Sequence, residues 1–161
     1  MSKSVTIVLR VLIAFFFLIM LLGQFFAIPG VINDIRQWAP EFGHLAIPYG
    51  GAAFLALICV EVVLAAIWIL LGMVRSDAVF TERAFRWVNV IIWATWIAVG
   101  MTLIPLLTML FDSSGTAGSP PAFLFVLLAF FGGTAFALLM TVMRALLRQA
   151  TDARAELAEV I

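Results

Sequence analysis

The chain has few of the residues from which catalytic and metal sites are built. Its 161 residues include one cysteine and one histidine, and only 11% of them are charged. A single cysteine excludes an intrachain disulfide and a cysteine-rich metal site. The sequence also has no phosphate-binding glycine loop, no HExxH motif and no Ser/His/Asp set. We therefore expect no catalytic residues, no metal and no cofactor, and predict that the protein is not an enzyme.

A net charge is also missing, because nine basic residues balance nine acidic ones. This balance gives no indication of direct nucleic-acid binding. Hydrophobic residues make up 65% of the chain, whereas a soluble domain has about 45 to 50%. We therefore expect the lipid bilayer to be the main partner and predict a multi-pass protein of the cell (plasma) membrane.

Four long apolar runs predict four transmembrane helices, at about residues 6–28, 46–74, 86–111 and 121–143. Each run is long enough, since roughly 20 helical residues cross about 30 Å of hydrocarbon. Unpaired backbone groups are so costly in lipid that helices are the only option for runs of this length. The expected fold class is an all-α membrane protein, with residues 1–161 in a single integral membrane domain.

The segment between the first two runs is predicted to lie at the membrane surface. Pro29 and Gly30 should end the first helix, and residues 31–38 form an amphipathic pattern typical of a short interfacial helix. His44 has no neighbours at metal-ligand spacing, so a solvated interfacial histidine is favoured over a metal ligand or a pH sensor. Pro48 is expected in the first turn of the second membrane helix, where proline is tolerated.

The placement of basic residues predicts the topology. Arg36 alone falls on one side of this layout, and eight basic residues fall on the other. The positive-inside rule therefore places both termini in the cytoplasm. Arg10 is expected to anchor the first helix at the headgroups. In the cytoplasmic loop, Thr81 is a candidate N-cap for the third helix, and Arg83 and Arg86 either contact anionic lipid or dock a protein.

Glu61 is the one acid within the second apolar run. Placing an acid at a helix centre in the membrane costs about 2.5 to 3.5 kcal/mol even on the lower insertion scales, so its side chain must face protein or water. One interpretation is a protonated Glu61 that donates a hydrogen bond to a threonine of a neighbouring helix, such as Thr95, Thr102, Thr134 or Thr141. The other is a functional carboxylate that handles protons or cations. The first is favoured, because no second intramembrane charge completes a relay.

Small residues recur at every fourth position in the last two runs, in the sets Ala94, Ala98, Thr102 and Ala129, Gly133, Ala137. Such stripes let helix backbones approach closely. They are compatible with packing inside one chain and with a homo-oligomer, and the pattern alone does not choose between them.

The fourth helix is predicted to continue past Arg144 as a cytoplasmic tail over residues 144–161, because neither glycine nor proline follows Gly133. Apolar residues spaced alternately by four and three form a short coiled-coil seam on it. The seam comprises Leu146, Ala150, Ala153, Leu157 and Val160. It either packs on the protein's own cytoplasmic loop or receives a partner helix.

Residues 79–89, with the sequence VFTERAFRWVN, and the C-terminal residues 146–161 carry a family resemblance. With the four-span layout, they resemble the bacterial family catalogued as domain of unknown function 2975. The resemblance implies a small four-helix membrane protein whose gene often adjoins one for a small helix-turn-helix transcriptional regulator. It implies no catalytic residues.

Our leading functional hypothesis is a regulatory or interaction protein that presents the cytoplasmic loop and the tail helix to a soluble partner, with that regulator as a candidate. An alternative is a small transporter or channel component that uses Glu61. A third is an accessory subunit of a larger membrane complex.

Overall fold

A computed structural model of the chain describes residues 3–38, 43–74, 82–111 and 120–159, and each of these residues is helical. The elements are α1 (Lys3–Leu22), a π-helical turn (Gly23–Ala27), α2 (Ile28–Trp38), α3 (Gly43–Val74), α4 (Glu82–Phe111) and α5 (Pro120–Glu159). The all-helical prediction is therefore confirmed over the part of the chain that the structure describes.

Four helical segments are long and apolar enough to cross a membrane: Ser4–Asn33, Gly43–Met73, Arg83–Phe111 and Pro120–Asp152. Large apolar side chains cover their outer faces, and Phe111, for example, is 78% exposed. A soluble monomer rarely exposes contiguous apolar surface on this scale. The four predicted spans thus correspond to four helices whose surfaces suit an apolar solvent.

The first helix does not end at Pro29, so that prediction was wrong. The chain stays helical from Lys3 to Trp38, because a π-helical turn lies just before the proline. In this turn the Ile28 backbone N–H donates to the Gly23 carbonyl, five residues earlier. A proline ring normally clashes with the carbonyl four residues before it. The wider turn changes the hydrogen-bond register at that point, and Pro29 then occupies the first turn of α2.

The boundaries of the next helices differ slightly from those expected. Helix α3 begins at Gly43, so Pro48 lies inside the helix rather than in its first turn. The ring of Pro48 leaves the His44 carbonyl without its usual N–H partner. Helix α4 begins at Glu82, as the loop sequence predicted. Thr81, the expected N-cap, lies outside the described residues.

Helix α4 lies at the centre of the packing. The principal contacts between helices join α3 to α4 and α4 to α5, while α1 and α2 both pack on α3. The buried side chains of α4 face its two neighbours and are mostly small or β-branched: Ala84, Ile91, Ile92, Ala94, Thr95 and Val99. The helices are thus arranged as a row, α1–α3–α4–α5, in which α4 is held from both sides.

Two glycines mark the closest approaches between helices. A Cβ atom on Gly133 of α5 would lie 2.7 Å from Val99 Cγ2 of α4, and one on Gly50 of α3 would lie 2.4 Å from Ile32 Cδ1 of α2. Ala137, one turn after Gly133, is fully buried. The small-residue stripe of α5 is therefore used, at these positions, for packing inside the chain.

We predict that Gly133→Ala destabilises the protein and that Gly132→Ala does not. Val99 has little rotamer freedom in a helix, so the extra methyl group should separate α4 from α5 at a cost of about 1 to 3 kcal/mol. No atom lies within 4 Å of a Cβ on Gly132, and alanine favours a helix over glycine by up to about 1 kcal/mol. Thermal unfolding in detergent measures both variants, and equal midpoints would contradict the proposed contact.

Candidate functional site

A cavity of about 730 Å³ lies between α3 and α5, with α4 as its floor. Small side chains make the space, among them Ala56 of α3, Ala98 of α4 and Ala129 of α5. Three hydroxyl-bearing residues line it: Tyr49, Thr95 and Thr102. Thr95 donates to the Ile91 carbonyl at 2.7 Å and Thr102 to the Val99 carbonyl at 2.7 Å. Since these two protons are already used within α4, the cavity presents a mainly apolar surface.

A hydrogen bond joins α3 to α4 beside this cavity. The Tyr49 hydroxyl bonds to Thr108 Oγ1. Either hydroxyl can be the donor in this bond, and Thr108 Oγ1 also lies within hydrogen-bonding distance of the carbonyls of Ile104, at 3.1 Å, and Pro105, at 2.9 Å. The sequence analysis did not identify this pair, although Tyr49 is the only tyrosine in the chain.

Glu61 lies on the face of α3 that is turned toward α1. Trp68 occupies the same face two turns further along α3, and the Arg10 guanidinium carbon of α1 lies 5.5 Å from its ring centroid. The Glu61 side chain is partly buried. Its Oε1 atom is fully buried and has no hydrogen-bond partner among the residues that the structure describes.

The threonines considered as partners of Glu61 bond elsewhere. Thr95 and Thr102 donate within α4, and Thr134 and Thr141 donate to the carbonyls of Phe130 and Ala137 in α5, both at 2.8 Å. A threonine that donates to the carbonyl four residues earlier satisfies its own proton inside its helix. A threonine that donates in this way can still accept a hydrogen bond, so the interpretation of Glu61 as a donor to one of them stays a prediction, although no such bond is present among the described residues.

Two further polar groups on the first helix resemble Glu61 in lacking a partner. Arg10 was expected to extend to the headgroups, but its guanidinium packs on Trp68 and its Nε atom is buried and unpaired. Gln24, in the π-helical turn, is only 4% exposed, and its Nε2 atom has no partner within the described segments. No role was predicted for Gln24 from the sequence, although it is an amide in an otherwise apolar run.

The residues predicted to dock a partner lie at the opposite end of the row, on α4 and α5. Arg83, Arg86 and Ala150 are exposed, and Leu146 is 54% exposed. The side chains of the other seam residues, Ala153, Leu157 and Val160, lie outside what the structure describes. Helix α5 continues to Glu159, so the predicted helical continuation beyond Arg144 is confirmed.

A hydrogen bond fixes the base of this extension. Arg144 Nη1 of α5 donates to Asn89 Oδ1 of α4 at 2.8 Å. Ten residues further along α4, Val99 meets Gly133, eleven residues before Arg144. The antiparallel pairing is therefore in register, and it brings Arg83 and Arg86 level with the segment from Leu146 to Ala150.

His44 lies exposed in the first turn of α3. Within residues 3–38, 43–74, 82–111 and 120–159, no group of three His, Cys, Asp or Glu residues could hold a metal ion. Cys59, a free thiol, lines the apolar cavity. Two features therefore have functional potential. One is the set of polar groups between α1 and α3, namely Arg10, Gln24 and Glu61, and the other is the exposed tail.

The family model described as a protein of unknown function, DUF2975, matches residues 30–161. The chain belongs to the DUF2975 family. The match confirms the resemblance noted in the sequence and covers most of α2 and all of α3, α4 and α5, including Glu61 and the tail. Arg10 and Gln24 precede the matched part of this DUF2975 protein. No curated protein and no solved structure matches the chain.

We predict that Asn89 and Arg144 are energetically coupled. Replacing either by alanine leaves the other partly buried without its partner, so each single variant should lose stability and the double variant should lose less than their sum. A hydrogen bond to a charged group contributes about 1.5 to 3 kcal/mol. Unfolding of the four proteins in detergent measures the coupling, and additive losses would show that the bond contributes nothing.

Proposed function

We propose that this DUF2975 protein is an integral protein of the plasma membrane with four spans and both termini in the cytoplasm. The four apolar helices and the charge distribution support this arrangement. Arg36 is the only basic residue that the arrangement places outside. The positive-inside rule is satisfied by the basic residues on the cytoplasmic side, which are Lys3, Arg10, Arg75, Arg83, Arg86, Arg144, Arg148 and Arg154.

Its function, in this proposal, is to present the base of α4 and the tail of α5 to a soluble partner. The observation that carries the proposal is the exposure of Leu146 and Ala150 on a helix that continues to Glu159. In an aqueous compartment, exposed apolar residues at alternating spacings of four and three favour a partner helix. The adjacent Arg83 and Arg86 would select a partner with acidic residues beside its apolar stripe.

The partner class that we propose is a soluble helical protein, and the family resemblance makes a small helix-turn-helix regulator the first candidate. The membrane protein itself has no excess positive charge for nucleic acid, so any effect on transcription would act through the bound regulator. Binding would hold the regulator at the membrane.

We predict that truncation after Leu147 abolishes partner binding and leaves membrane insertion intact. Leu146→Asp combined with Ala150→Asp should have the same effect in the full-length chain, because it places charge in the seam. Gln149→Asp is the matched control, since Gln149 is exposed on the same turn but lies outside the seam. The measurement is purification of each tagged protein at native expression in mild detergent, with identification of what co-purifies.

A soluble regulator that is lost from the truncated and seam variants but retained by Gln149→Asp is the expected result. Co-purification of the same soluble partner with all variants would contradict the proposal that the base of α4 and the tail of α5 bind it. Membrane subunits that co-purify equally with every variant would instead favour an accessory subunit of a larger membrane complex.

The second candidate function is transport, and one observation favours it: the Oε1 atom of Glu61 is buried without a partner. Ionisable residues in this position commonly mark ion or proton pathways. Glu61→Gln keeps the size of the side chain but removes the titrating group. We predict that it abolishes proton-linked flux into proteoliposomes without lowering expression, whereas Glu61→Asp retains flux. Equal flux through Glu61→Gln and the unmodified protein would exclude this function.

A further inference from the structure

We propose that the seam between α1 and α3 is a hydrated proton path, along which Arg10, Glu61 and Gln24 are the polar groups that bind its water. The inference extends the transport candidate by assigning a route and two further residues to Glu61. It does not depend on the tail or on any soluble partner. The starting observation is that the three buried side-chain atoms without a partner, in the described residues, belong to these three side chains.

Two contacts define the register of the first helix against α3. Arg10 lies over Trp68, and Ile28 Cγ2 lies 3.7 Å from the position of a Cβ on Gly50. The interval from Arg10 to Ile28 is eighteen residues, and so is the interval from Gly50 to Trp68. The two antiparallel segments therefore run alongside each other without a slip.

This register spaces the three polar groups evenly. Glu61 precedes Trp68 by seven residues on α3, and Phe17 follows Arg10 by seven residues on α1. Since Arg10 lies over Trp68, Glu61 is level with Phe17. Gln24 follows Phe17 by another seven residues. Seven residues are two helical turns, or about 10 Å. Gln24 lies in the π-helical turn between α1 and α2, which both pack on α3, and its side chain is only 4% exposed.

The chemistry of the three atoms selects water as their partner. Arg10 Nε and Gln24 Nε2 are donors, whereas Glu61 Oε1 is an acceptor when the carboxyl group is ionised. A metal cation requires several oxygen ligands, and the two donors offer none. An anion would be repelled by an ionised Glu61. Water both donates and accepts, so one kind of molecule satisfies all three groups, as it does for buried polar atoms in general.

The packing of α1 would allow a small outward displacement that admits such water. Its main partner is α3, and the side chains on its other faces, such as Phe16 and Leu22, are exposed. A helix held from one side has few apolar contacts to resist a small outward displacement. About three water molecules at hydrogen-bonding distance bridge each interval of about 10 Å. Leaving the atoms unpaired in hydrocarbon instead would cost several kcal/mol for each group.

The path gives Glu61 a function that it cannot have in a dry seam. A protonated water molecule beside Glu61 transfers its proton to the carboxylate oxygen and becomes neutral water, and the reverse step returns the proton to the next molecule in the chain. Arg10 and Gln24 remain unchanged, since they only orient the water. The proton is the species carried.

The test compares the water accessibility of neighbouring positions on α1. In a Cys59→Ala background, single cysteines replace Phe17 and Leu21 on the seam face, and Phe16 and Leu22 on the exposed face serve as controls of the same residue type. A small charged methanethiosulfonate reagent is applied to the protein in proteoliposomes. Because thiolates form and react in water but not in lipid, the seam positions should react at least roughly tenfold faster than their controls.

A second measurement uses the otherwise unmodified chain. At a pH low enough for the carboxyl group to be protonated, the infrared carboxyl band that is lost in Glu61→Gln should shift within seconds of transfer to D₂O, because a hydrated carboxyl group exchanges its proton quickly. Equal thiol reaction rates within both pairs, or a carboxyl band that does not shift over hours, overturns the proposal. Neither readout requires flux, so the two failures can be told apart: a hydrated seam without proton flux would exclude the transport function and overturn the seam's role as a proton path, while the water in it would be established.

Discussion

The close approach of α4 and α5 at Val99 and Gly133 is the contact on which the described arrangement depends. In lipid there is no hydrophobic force between helices, so association requires tight van der Waals packing and hydrogen bonds between them. Gly133 supplies the first by having no side chain, since even a methyl group would overlap Val99. Asn89 and Arg144 supply the second. Together they define the register that brings Arg83 and Arg86 to the base of the tail.

Helices α4 and α1 differ in how well their polar side-chain atoms are satisfied. Helix α4 has small or β-branched buried residues facing two neighbours, and its threonines satisfy their protons on their own backbone. Helix α1 packs mainly on α3 in the described part of the chain and carries polar atoms that have no hydrogen-bond partner there. An apolar solvent penalises such atoms more than any packing defect on the lipid-facing surface. Their retention along a single seam is therefore better explained by a ligand that enters it than by structure alone.

Much of the fold could be predicted from the sequence, because hydropathy and the need to pair every backbone group act along the chain. The existence of four long helices, the start of α4 at Glu82 and the continuation of α5 to Glu159 all follow from local composition. The continuity through Pro29 could not be predicted, because it depends on a change of hydrogen-bond register in the turn before it. The residue types in this turn do not indicate that its hydrogen-bond register changes.

The candidate sites were harder to predict for a different reason. An acid such as Glu61 can be recognised in an apolar run, but its surroundings depend on which helix lies beside it. The threonines of α4 and α5 were reasonable partners in a closed bundle; in this row, however, Glu61 is turned toward α1, where the other unpaired groups are Arg10 and Gln24. The seam and the tail also lie on different helix pairs, α1–α3 and α4–α5. Among the described residues, a change in one would reach the other through the contact of α3 with α4, to which the Tyr49–Thr108 hydrogen bond contributes.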